Sequence, residues 1–275
     1  MGCTNKSLAL YFLCIMVASS CRQNGGTNHP LPITMDDSSR VIIERAIAYA
    51  GGKDVWLEKK TLSFDKTSTS YDSAGNVVRK LEQHFDYMMQ PEFRAKVTYT
   101  LNDTSITLIH DGQKARKLFN GKLSSSQKDI DQAWNASFGS HYVMCMPYKL
   151  TDPGIKAEYV GELNLVNGGT AQVIKTSYIK GAGSNPDHIW YYYFEPGTGK
   201  LLANSLNGKD NYWDFTHYQE FETVSGLKLP SIRKGYTATG LNKPGRQVSE
   251  SKHFNIVFDV NLPKDHFKIP NEIER

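Results

Sequence analysis

The stretch Trp190-Tyr191-Tyr192-Tyr193-Phe194-Glu195-Pro196-Gly197-Thr198-Gly199-Lys200-Leu201 decides the fold. Side chains alternate across a strand, so Trp190, Tyr192 and Phe194 share one face while Ile189, Tyr191 and Tyr193 share the other. Aromatic residues suit a pleated surface, and Pro-Gly-Thr-Gly supplies a turn, so the segment reads as a strand entering a hairpin. Both faces of this strand are apolar or amphipathic. Either both are covered, one by helices and one by a loop, or one set lines a cavity.

Turn signals divide the surrounding sequence into further strands. On the C-terminal side they are Lys200 to Leu206, Tyr212 to Val224, Leu227 to Thr237 and Phe254 to Val260; on the N-terminal side, Glu158 to Leu163 and Val173 to Ile179. Farther back, Leu62 and Phe64 alternate with polar residues. Val77, Leu81, Phe85, Tyr87 and Met89 then fall on one face, with Lys80, Glu82, His84 and Asp86 on the other. Such one-sided strands belong to antiparallel sheets with one wet face. Phe93 to Tyr99, Ile106 to Ile109 and Ala115 to Phe119 follow, the last two joined across Asp111-Gly112.

Two regions break the period of two. Ile42, Ile43, Ala46, Ile47 and Ala50 recur at helical spacing, with Asp37 or Ser38 as cap and Gly51-Gly52 as terminator. Ser124 to Ser126 can cap a second helix carrying Ile130, Ala133, Trp134 and Ser137. Gly139 is expected to break it before a short helix or buried linker at Tyr142 to Met146. The expected architecture is α+β. A curved antiparallel half-barrel of about eleven strands wraps an N-terminal helix at 39 to 50 and a central helical insertion at 125 to 146. A transmembrane β-barrel is the rival, but several of these strands are shorter than the ~9–11 residues it requires.

The N-terminus carries its own information. Lys6 precedes the apolar run Leu8 to Ala18, which is shorter than the about 20 residues of a membrane-spanning helix, and Ser19-Ser20-Cys21 follows. This resembles a bacterial lipoprotein signal. The resemblance implies cleavage before Cys21 and acylation of that residue, so that 1–20 is a signal peptide and 21–38 a flexible Gly- and Pro-containing tether. Residues 39–275 then form one domain. The expected location is the bacterial envelope, lipid-anchored, on the periplasmic side of the outer membrane. Cys3 and Cys14 leave with the signal and Cys21 takes lipid, which leaves Cys145 as the sole thiol and no intramolecular disulfide. The domain must therefore be held by its own core.

The order of elements resembles the lipoprotein-carrier (LolA/LolB-type) fold over roughly residues 39 to 270. The series from Tyr159-Val160-Gly161-Glu162 through Asn167-Gly168-Gly169 to the aromatic strand carries that resemblance. Together with Ala46 to Gly52, Trp56 and Tyr218 to Pro230, the chain looks most like an uncharacterised group of envelope lipoproteins of Bacteroidetes-type bacteria.

Chemical motifs are sparse. Net charge is +4 and spread without like-sign runs, which does not indicate nucleic-acid binding. No Gly-x-Ser-x-Gly, His-Glu-x-x-His or Cys-x-x-Cys occurs, and Gly197-x-Gly199-Lys200 lies in a hairpin rather than a Walker loop. No cofactor, metal or catalytic site is expected, and the domain is expected to be a monomer. The favoured reading is non-catalytic binding of a lipid, acyl chain or other hydrophobic small molecule. Trp190, Tyr192, Phe194, Met88, Met89, Met144 and Met146 would line the site, because aromatic rings and flexible thioethers fit irregular chains. Two alternatives stand beside it: a glycan platform of Trp190, Tyr192 and Trp213, and a hydrolase using Asp210, Asp214 and His217.

Overall fold

A computed structural model describes residues 31–270 except 167, 180–181 and 183–187; the expected signal peptide, Cys21 and residues 22–30 of the expected tether lie outside the described residues. The end of that expected tether is instead held by the fold, with Thr34–Met35 paired to the strand at Ile155–Asn164 and Asp36 capping a helix. The chain runs through β1 (Thr34–Met35), α1 (Asp37–Tyr49), α2 (Lys53–Leu57), β2 (Thr61–Tyr71), β3 (Val77–Met88), β4 (Arg94–Leu101), β5 (Thr104–His110), β6 (Ala115–Phe119) and β7 (Lys122–Leu123). It continues through α3 (Gln127–Met144), β8 (Ile155–Asn164), β9 (Thr170–Tyr178), β10 (Ile189–Phe194), β11 (Leu201–Asn207), β12 (Trp213–Val224), β13 (Leu227–Ala238) and β14 (Pro244–Phe258).

All fourteen described strands form one sheet in the order β1, then β8 to β14, then β2 to β7. Every pairing is antiparallel except β1 with β8. The terminal strands β1 and β7 do not meet, so the sheet is curled and open, not a barrel. Two meanders, one from each half of the chain, join where β14 pairs with β2 and His253 stands opposite Lys66.

Asp36 caps α1, one residue before the expected position: its carboxylate accepts from Ser39 N–H at 2.8 Å and from Tyr159 N–H of β8 at 2.7 Å. One side chain thus both starts the helix and ties it to the sheet. Ile42, Ile43, Ala46 and Ile47 face the core. At the helix end the Ala50 carbonyl accepts from Lys228 N–H at 2.8 Å and the Tyr148 hydroxyl at 2.6 Å. Gly51 follows at φ 116°, where an added Cβ would lie 2.2 Å from the Gly226 carbonyl oxygen, so glycine is required by both conformation and space. The short helix α2 was not evident from periodicity; it presents Trp56 to Tyr148, with rings stacked at 4.6 Å.

Helix α3 differs from expectation by running unbroken through Gly139 to Met144. An isolated glycine weakens a helix by only about 1 kcal/mol, which packing of Ala133, Ser137, His141 and Met144 overrides. Its main contacts are with β4, β5 and β6, while α1 lies against β8. The main core fills the concave side between these helices and the sheet, and includes Phe64, Phe85, Tyr87, Met144, Met146, Ile174, Tyr192 and Phe194. The strand count exceeds the expected eleven because two-residue edge strands carry no periodicity. In addition, β14 begins at Pro244, ten residues before its expected start.

Candidate functional site

The aromatic strand β10 is covered on both faces. Tyr191 and Tyr193 face the convex side, where a second small core of Ala171, Val173, Tyr193, Ala203 and Phe215 lies under the β13–β14 connection and the end of β8. Asn242 fixes that cover: its N–H donates to the Tyr193 hydroxyl at 3.1 Å, and its amide donates to the Asn164 carbonyl at 2.7 Å. On the concave face Tyr192 and Phe194 are buried, whereas Trp190 keeps part of its surface.

Of the expected ligand-binding residues, the structure brings Trp190, Tyr192, Phe194, Met89, Met144 and Met146 into one core. Met88 alternates onto the other face from Tyr87 and is separated from them. Met144 and Met146 are fully buried, so they pack the sheet–helix interface rather than line an accessible surface.

Tyr192 ends a chain of hydroxyls. It lies 3.0 Å from the Tyr142 hydroxyl of α3, which accepts from Tyr178 of β9 at 3.1 Å, and Trp190 sits beside Tyr142 and Tyr192. Burial raises all three phenols, Tyr178 to about 12, so each remains a neutral donor and acceptor. Tyr142, Tyr178 and Trp190 remain partly accessible and form an aromatic band on the concave face.

Beyond that band the concave face turns polar. Tyr218 pairs across strands with Arg233, Arg233 with Ser251, Ser251 with Ser68, and His253 with Lys66, so these side chains share one face on four adjacent strands. The Arg233 guanidinium lies 5.9 Å from the Tyr218 ring. The Lys66 ammonium donates to Ser140 Oγ of α3 at 3.4 Å and stands 5.6 Å from the Phe85 ring. Burial, with Arg233 nearby, brings Lys66 down to about 7. Burial, Arg233 and Lys66 together hold His253 well below its ordinary value. Asp214 reaches the same face farther along β12. Burial pushes it up to about 6, opposed by a hydrogen bond from Leu206 N–H.

This geometry corrects the two alternative site readings. Trp213 stacks on Tyr191 at 5.7 Å on the convex side, so it forms no platform with Trp190 and Tyr192. His217 packs with Phe215 and Tyr236, also convex, opposite in face to Asp214, while Asp210 sits in the turn before β12. The three cannot act on one substrate atom. Among the described residues, no group of three or more His, Cys, Asp or Glu side chains is placed to hold a metal ion.

Sequence reading missed Lys66, Arg233 and His253 because the flanking strand segments, Lys66 to Ser70 and Ser249 to Lys252, are polar on both faces and give no apolar alternation. The available signal was their hydroxyl-rich, partly β-branched composition next to recognised strands.

A curled, open antiparallel sheet with helices on its concave side is a fold of the lipoprotein-carrier type, and here a partly buried strip of aromatic and basic side chains lies between helices and sheet. The chain belongs to the family of unknown function DUF6503, whose sequence profile matches residues 7–220. It is similar to a DUF1329 family protein from Desulfovibrio piger (11% identity, 85% of this chain and 98% of that one, TM-score 0.51). It is similar also to a LolA superfamily protein from Nitrosomonas europaea (9%, 83% and 96%, TM-score 0.51). A third similar structure is a domain from Vibrio parahaemolyticus named for outer membrane lipoprotein sorting (7%, 84% and 97%, TM-score 0.51). At these identities the likeness is one of fold. No curated protein matches the sequence.

Proposed function

We propose that this protein is an envelope lipoprotein, anchored through an acylated Cys21, whose half-barrel binds a lipid, acyl chain or other hydrophobic ligand without catalysing a reaction. The observation that carries this reading is the partly accessible aromatic band of Trp190, Tyr142 and Tyr178 on the concave face. Amphipathic rings of this kind give an acyl chain apolar area while their hydroxyls stay hydrogen-bonded. The similarity to a LolA superfamily protein and to a domain named for lipoprotein sorting supports the same reading. The resemblance of residues 1–21 to a lipoprotein signal supports the anchor.

Native mass spectrometry of the protein extracted from its own envelope tests the proposal. A lipid mass retained by the wild type and lost in a folded Trp190→Ala variant supports it. Extraction without any hydrophobic adduct, together with no binding of laurate or 1-dodecanol to the purified protein, overturns it.

A further inference from the structure

Among the described residues no carboxylate forms an ion pair with Lys66 or Arg233, and Asp214, the carboxylate on the same face, lies farther along β12 beside Tyr218. Lys66 has one hydrogen bond, to a neutral serine hydroxyl. Arg233 Nε and both ring nitrogens of His253 are buried without a well-formed hydrogen bond, although the Tyr218 hydroxyl engages the Arg233 guanidinium and the Pro230–Ser231 backbone lies beside His253, which is 3% exposed. The carboxylates of the same strands point the other way: Asp65 is engaged by His84 and Asn255, and Glu250 by Lys234 and Lys252. Unpaired donors and like charges gathered out of water cost stability. Lys66 and Arg233 are two such charges on one face, with the neutral His253 on the strand between theirs, and an arriving anion offsets the cost of holding them there.

The surroundings fit that anion in size. Ser68 and Ser251 lie between the cations in register, and Gly235, two residues beyond Arg233 on β13, pairs with Ser249. Small side chains therefore floor the strip where the flanking rows carry aromatic rings. A guanidinium presents a planar fork to two oxygens, an ammonium adds a point charge, and imidazole and hydroxyl groups add single donors.

We propose that Lys66, Arg233 and His253 form an oxyanion seat that takes the carboxylate or phosphate head of an amphiphilic ligand, with its chain lying along the Trp190–Tyr178 band. This rests on the hydrophobic-ligand reading above and specifies the ligand's polar end. The seat is on the strands and the band is partly on α3, so Ser140 and Tyr142 place the helix beside both parts of the ligand.

The test is isothermal titration calorimetry of the full-length protein with three probes: laurate, 1-dodecanol and inorganic phosphate. Laurate is expected to bind at least about tenfold more tightly than 1-dodecanol, the factor that one charge-assisted hydrogen bond supplies. Lys66→Met and Arg233→Gln should each remove that preference and leave 1-dodecanol binding unchanged, which also shows that the variants are folded. Equal affinity of wild type for laurate and dodecanol overturns the oxyanion seat while the hydrophobic site stands. Phosphate binding that both variants abolish, with neither dodecanol nor laurate bound, keeps an anion site for a free anion and overturns the hydrophobic-ligand reading. Binding of none of the three overturns both.

Discussion

The hydroxyls of Tyr142 and Tyr192 lie 3.0 Å apart, and with Tyr178 they tie the C-terminal half of α3 to strands β9 and β10. Tyr142 is the middle member. Replacing it by Phe takes a partner from both the buried Tyr192 hydroxyl and the partly accessible Tyr178 hydroxyl and should cost about 1–3 kcal/mol in urea unfolding. Tyr178→Phe leaves the Tyr142–Tyr192 contact intact and should cost about 0.5–1.5 kcal/mol. Equal losses for the two variants would show that the three hydroxyls do not act as one chain.

Tyr148 stacks on Trp56 and donates to the Ala50 carbonyl, joining α1, α2 and the segment after α3 at one point. Tyr148→Phe keeps the stacking and leaves one carbonyl donor short, for an expected loss of about 1 kcal/mol. Tyr148→Ala removes the ring as well and should lose about 3–5 kcal/mol. Chemical denaturation of both variants separates the hydrogen bond from the packing.

Asp214 gives a signed pH dependence. Its folded value is raised to about 6 from 3.8, so the folded state binds the extra proton between these values. The group's contribution is complete below about pH 4 and is lost as pH rises through 6. Asp214→Asn should therefore match wild type near pH 4 and be more stable at pH 7. A shift of two units corresponds to about 3 kcal/mol, and the carboxyl's residual contact with solvent reduces the expected gain to about 1–2 kcal/mol. Thermal unfolding at the two pH values reads the difference.

Lys66 runs in the other direction. Burial lowers it from 10.5 to about 7, so between these values the unfolded chain holds the extra proton and stability rises with pH. The penalty for its charge is complete below about pH 7. Lys66→Met should stabilise the protein near pH 6, and the gain should shrink towards pH 10. A gain that stays constant across that range would mean the ammonium is not desolvated in the fold.

Cys21→Ala should release soluble protein or leave an uncleaved precursor, read by fractionation and intact mass. A variant that stays membrane-bound and fully processed would refute the acyl anchor.

What the sequence makes legible follows the apolar contrast. Phe64, Phe85, Tyr87, Val97 and Leu108 lie on the buried face because each alternates with polar neighbours, and the Ile42–Ala46–Ile47 spacing marks α1. Gly139 misleads because tertiary packing holds α3 together through it. The basic row escapes notice for a different reason. Where strands turn a polar face inward, burial no longer correlates with hydropathy, so Lys66 and His253 read as ordinary surface residues until the β2–β14 pairing places them opposite each other. Alternation along β12 separates Asp214 and His217, which sequence proximity alone had grouped.

The β2–β14 seam also sets an order of events for a chain made from its N-terminus. Strand β2 is among the earliest elements synthesised, and its second neighbour is the last strand of the sheet. Until residues 244–258 emerge, the N-terminal meander carries an unpaired edge and the two meanders are not joined. Such long-range closure is slow and leaves a sticky intermediate. Closure of this seam therefore comes last, and until then the edge of β2 is open to non-native strand pairing.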